Sequence, residues 1–137
     1  MKVAYLLASL LLGSTSSVIA CGHCIEDKVA AVYDHAIVAN AVREKHSVAF
    51  FGIEGPLVVN PASKQEIQKI MSGINGVDPN TNRISLETGS ISLAFNPTLL
   101  TYPALLDALD KKLKLKKLTV FPLEVISQLP KSAVASR

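Results

Sequence analysis

The sequence has no tryptophan and only 5% aromatic residues, its formal charge is a mild +3, and its two cysteines are confined to a single Cys-x-x-Cys. Each shortage closes off a class of protein. A surface that tracks nucleic-acid phosphates usually shows clustered arginines and interleaved aromatics, and neither is here. The longest apolar run, Val3 to Leu12, is about half of the ~20 residues a bilayer-spanning helix needs. No Ser-His-Asp order, phosphate-cradling glycine loop or zinc-protease helix occurs, and Glu54 and Glu87 have no evident carboxylate partner. The chain therefore reads as a non-enzyme. Its 137 residues leave room for one ordinary domain. What is present is core-forming material: 49% of the residues are hydrophobic against 18% charged, a balance that argues for a folded protein over a disordered one.

The amino terminus has the order of a secretory signal. Lys2 precedes the apolar run, Gly13 and the polar stretch Ser14 to Ser17 follow, and Val18-Ile19-Ala20 supplies small and apolar residues for cleavage. Residues 1–20 are thus expected to be removed, leaving Cys21 as the first residue of an exported protein, with the bacterial periplasm as its expected compartment. Val18-Ile19-Ala20-Cys21 also resembles a bacterial lipobox, which would acylate Cys21 and anchor the chain to a membrane.

Beyond the leader, the apolar spacing of Ile25, Val29, Val32, Ala36 and Ala39 predicts one helix over residues 24–45. Ser47 to Ile53, apolar and stopped by Gly55-Pro56, predicts a buried strand. Ser63-Lys64-Gln65-Glu66 has the form of a capping box ahead of a helix with Ile67, Ile70 and Met71 buried and Gly73 at its end. Alternation in Arg83–Glu87 and Ser90–Phe95 around Thr88-Gly89 predicts a hairpin with a two-residue turn. Thr101 caps a helix with Pro103 in its first turn and a core stripe of Leu105, Leu106, Leu109 and Leu113, and Leu118–Phe121 forms the last strand. The expected organisation is a leader over 1–20, the Cys-x-x-Cys and a helix over 21–45, a domain over 46–123, and a tail over 124–137. The fold class is α+β, a ferredoxin-like βαββαβ antiparallel sheet covered on one face, with an additional amino-terminal helix. A chain shortened to begin at Lys45 is expected to fold.

Gly73-Ile74-Asn75-Gly76-Val77, followed by a hairpin with a Leu-Glu-Thr-Gly turn and a leucine-rich helix, resembles the heavy-metal-associated domain of copper chaperones and metal-transport ATPases. The resemblance covers roughly Ser47 to Pro122. It implies a metal-handling scaffold whose ligands lie in a Met-x-Cys-x-x-Cys loop between the first strand and the first helix. The matching stretch, Gly52 to Asn60, contains no cysteine.

Thiol chemistry is instead concentrated in Cys21-Gly22-His23-Cys24. Backbone amides at the start of the following helix favour thiolate, and two thiolates with the His23 imidazole suit Cu(I), Zn(II) or mercury. Cys21, His23 and Cys24 are accordingly the candidate metal ligands. The same motif resembles the active sequence of protein disulfide isomerases, which carry it after a strand of a thioredoxin fold; here only the leader precedes it. In an oxidising compartment the two cysteines can also form a small disulfide that ties off the helix start. The alternative function is then a metal-free protein-interaction module, lipid-anchored or homodimeric, with no nucleic-acid partner and membrane contact only through an acylated Cys21. His35 would sit ~16 Å along the helix axis from Cys24, too far to share its ion. His46 reads as a residue of the helix end, and Lys111, Lys112, Lys114, Lys116 and Lys117 as a solvated face.

Overall fold

A computed structural model describes residues 24–129. The leader, Cys21 and His23 lie outside the described residues, as does the end of the tail. Within them the chain runs α1 Ile25–Ala30, α2 His35–Arg43, β1 Ser47–Glu54, α3 Pro61–Ser72, β2 Arg83–Ser85, β3 Ser90–Phe95, α4 Tyr102–Lys114 and β4 Thr119–Ile126. The four strands form one antiparallel sheet in the order β2-β3-β1-β4. The expected α+β class with an antiparallel sheet is what the chain adopts.

The single helix expected over 24–45 is two helices. Asp34 is extended (φ −128°, ψ 110°) and its carboxylate accepts hydrogen bonds from the Ala36 and Ile37 amides, so it starts a new helix as an N-cap instead of continuing the old one. The apolar periodicity runs through the break because Val32, in the connecting turn, is itself buried with Val38 and Ala41 of α2. The break frees the Val32 carbonyl, which accepts a 2.7 Å hydrogen bond from the buried Ser92 hydroxyl of β3.

That turn lets the amino-terminal helices lie on the sheet, and a one-sided sheet is corrected to a two-sided one. Alternate residues of β1 point opposite ways. Ala49, Phe51 and Ile53 join Ile91, Leu93 and Phe95 of β3 in the core beneath α3 and α4, while Val48 and Phe50 join Ala94 against Val32, Val38 and Ala41. Tyr33 stacks on Phe50 from the helical side, with ring centroids 6.3 Å apart. Gly52, also in β1, is required by its neighbour: a Cβ there would come within 2.1 Å of the Phe121 ring of β4.

Three further boundaries differ from expectation. Helix α3 is capped by Asn60, whose side chain accepts from the Ser63 amide at 2.8 Å, because Pro61 is preorganised for the first helical position; Ser63 lies inside the first turn. The hairpin turn spans four residues between the paired Ser85 and Ser90, with Leu86 drawn into the core and Gly89 at φ +62°. Strand β4 extends to Ile126, past the residue 124 where the tail was expected to begin, since Val125 and Ile126 pair with Ala49 and Val48.

Asp34 also receives the Arg83 guanidinium of β2 at 3.0 and 3.2 Å, joining the start of α2 to the sheet edge. Hydrogen bonds from the Ile37 amide and from Arg83 hold its carboxyl below the usual aspartate value of 3.8. A depressed folded value makes this contribution present above the unfolded value and lost as the pH falls through the folded one. The melting temperature of the parent is therefore expected to exceed that of Asp34→Ala at neutral pH, with the gap closing below about pH 4. A gap unchanged between pH 7 and pH 2.5 would remove the carboxylate from this role.

Candidate functional site

Of the expected ligands Cys21, His23 and Cys24, Cys24 alone falls within the described residues; it is exposed at the N-cap of α1, where its carbonyl accepts from the Lys28 amide at 3.1 Å. Its thiol makes no capping bond, so the sulfur is available to a ligand or a partner. The next residue, Ile25, lines a cleft of about 490 Å³ together with Gly55 and Leu57 of the β1–α3 loop. Cys24 thus stands one residue from the end of the sheet from which that loop emerges. A straight helix over 24–45 would have pointed it away.

Lys28 fixes this arrangement. It is buried although charged, and its ammonium donates to the Thr88 and Gly89 carbonyls in the β2–β3 turn and lies 5.9 Å from the Phe121 ring centroid. Carbonyl dipoles and the ring face compensate the lost hydration of a cation that would otherwise be costly to bury. Glu54 and Glu87, which showed no partner in the sequence, line the same cleft as Lys28.

The histidines divide. His35, the first residue of α2, is exposed, with its Nδ1 3.4 Å from the Tyr33 hydroxyl. His46 does close the helix end, its amide donating to the Ala41 carbonyl at 2.8 Å, but its ring has a partner that sequence reasoning missed: Nδ1 lies 2.7 Å from Oδ2 of Asp78. Nothing local signals that pairing, because Asp78 comes 32 residues later in the chain. The lysine-rich end of α4 is largely balanced by acids, with Lys111 on Asp107 at 2.9 Å, Lys114 on Asp110 at 3.0 Å and Lys116 on Glu66 at 3.2 Å. This agrees with a solvated face and leaves little net field for an anionic partner.

Among the described residues no helix is long and apolar enough to cross a membrane. No family model and no curated protein matches the chain.

Proposed function

We propose that the protein is a non-enzymatic, exported binder of a soft transition metal of the Cu(I), Zn(II) or mercury class. Cys21 and Cys24 would supply thiolates, with His23 assisting, on a ferredoxin-like scaffold working in the bacterial periplasm. The observation that carries this reading is the return of α1 to the β1–α3 end of the sheet, where Ile25, Gly55 and Leu57 share one cleft. The sheet order β2-β3-β1-β4 and the succession β1, α3, β2, β3, α4, β4 fit the split βαβ arrangement of the heavy-metal-associated domains that the sequence resembles. Those domains hold metal on the loop after the first strand. Here residues 55–60 offer no sulfur or imidazole, and the exposed Cys24, one residue before Ile25 of the shared cleft, would supply the missing chemistry together with Cys21.

A second reading has one observation in its favour. Ile25, Val29, Tyr33 and Leu123 line an apolar depression of about 570 Å³ between α1 and the edge strand β4, with Ile25 and Tyr33 each more than two-fifths exposed. Such a strip beside the motif suits a protein partner or a homodimer, with the cysteines disulfide-bonded or Cys21 acylated.

Competition against a chromogenic Cu(I) chelator, using the reduced mature protein, tests the metal reading. The parent is expected to take up one ion per chain, and the double variant Cys21→Ser, Cys24→Ser to lose stoichiometric uptake. Equal affinity in the two would dismiss the motif as the site. Mass spectrometry of the mature amino terminus decides between the readings independently, because an acylated Cys21 sulfur cannot serve as a thiolate ligand.

A further inference from the structure

The opposite end of the sheet carries a second constellation, independent of the cysteine motif. Glu44, His46 and Asp78 each present a ligand atom, and these atoms lie within 4.8 Å of one another. Two of the three come from the end of α2. There the Lys45 amide donates to the Val42 carbonyl and the His46 amide to the Ala41 carbonyl, a helix-closing pattern that places Lys45 in the left-handed region at φ 61°. A lysine in a conformation usually given to glycine reverses the chain between Glu44 and His46 and lets both side chains serve one point.

Asp78 reaches the same point from the α3–β2 loop. Its amide donates to the Ala94 carbonyl at 2.8 Å, and the preceding Val77 bridges Phe95, so the carboxylate is held by the end of β3. His46 and Asp78 are only 20% and 21% exposed, whereas Glu44 is exposed on the outer side. The donors therefore rest on ordered backbone, and one flank is open to water or a further ligand. Glu44 and Asp78 also line a cleft of about 400 Å³ with Asn40, Asn80 and Thr81, whose amide and hydroxyl groups can hydrogen-bond the water of a hydrated ion.

We propose that Glu44, His46 and Asp78 form a binding site for a borderline divalent cation, Zn(II) foremost, with an imidazole and two carboxylates as ligands and solvent completing the shell. An imidazole with two carboxylates suits Zn(II) or Co(II) and not Cu(I), which prefers sulfur. His46 Nδ1 and Asp78 Oδ2, now 2.7 Å apart, would part slightly to admit the ion, each exchanging the other for the metal. Cys24 stands at the other end of the sheet from this site. β1 has eight residues, so its ends are separated by roughly 23 Å; His46 precedes one end, and the cleft lined by Ile25 lies at the other. A bound ion would join the end of α2 to the α3–β2 loop and fasten the helical layer to the sheet.

The test uses the full chain carrying Cys21→Ser and Cys24→Ser, which removes the thiolates whatever their own role. Isothermal titration with Zn(II) and the visible absorption of Co(II) are the readouts. One ion per chain is expected, with a rise in melting temperature on Zn(II) addition. Adding His46→Gln is expected to weaken Zn(II) at least about tenfold. Glu44→Gln, at an exposed position, should weaken it while leaving the metal-free melting temperature unchanged, which separates ligand loss from unfolding. Absence of Zn(II) binding by the cysteine-free chain, or binding unaffected by both Glu44→Gln and Asp78→Asn, overturns the site. Neither outcome bears on Cu(I) uptake by Cys21 and Cys24.

Discussion

A chain shortened to begin at Lys45 is expected to lose cooperative folding, contrary to what the sequence implies when its amino-terminal helix is taken as an appendage. Removing α1 and α2 uncovers the second face of the sheet, where Phe50 is 0% and Val48 2% exposed. Returning such side chains to water costs about 1.5–3 kcal/mol each. The loss is compounded by the partners that leave with the helices, Val32, Val38 and Ala41, and by Ser92, whose buried hydroxyl loses the Val32 carbonyl. Asp34 would no longer hold Arg83, nor Lys28 the β2–β3 turn. Since a domain of this size is stable by only about 5–15 kcal/mol in total, losses on this scale leave little or nothing. Urea denaturation followed by circular dichroism would check it. A sharp transition with the midpoint of the full chain would show that the two helices are dispensable.

The two-sided burial that those helices complete is partly readable in β1. Val48 to Ile53 is apolar without interruption, the pattern of a strand buried on both faces, whereas a sheet covered on one side shows alternation. The sequence reads this strand as buried, but one straight helix over residues 24–45 offers no second layer to cover it. Asp34 decides the matter. In a helical pattern it passes for a polar residue on the outer face, and it becomes a cap only because the chain turns inward at Val32 and Arg83 arrives from a strand far along the sequence. Thr101, by contrast, was legible as a cap, since its hydroxyl accepts from the Ala104 amide within the same turn and Pro103 cannot donate. The cysteine motif is proposed as a site on its residue types alone, whereas the place of Cys24 beside the sheet depends on the break at Asp34, which no periodicity announces. The pairing of His46 with Asp78 depends on the loop that folds Asp78 against Ala94, a contact without any periodic signature.

The same distinction between pattern and packing separates Leu106 from Leu109, which share one helical stripe but not one depth. The sequence pattern gives Leu105, Leu106, Leu109 and Leu113 equal standing on α4. The structure buries Leu105, Leu109 and Leu113 completely and leaves Leu106 at the margin, much as it buries Met71 of α3 and leaves Ile70 half-buried. A helix stripe wide enough to hold both i+3 and i+4 positions has edges, and the edge residue keeps one side toward solvent. Leu109→Ala is therefore expected to cost about 2–5 kcal/mol, because it removes buried methyl groups and opens a cavity among residues that cannot collapse into it. Leu106→Ala should cost roughly 1–1.5 kcal/mol, the lost burial of part of a side chain with water free to fill the gap. The two variants differ only in position on one helix, so propensity and unfolded-state effects cancel between them. Urea melts of both beside the parent would measure the difference, and equal losses would mean that α4 is rotated on the sheet from the orientation that Leu105, Leu109 and Leu113 define.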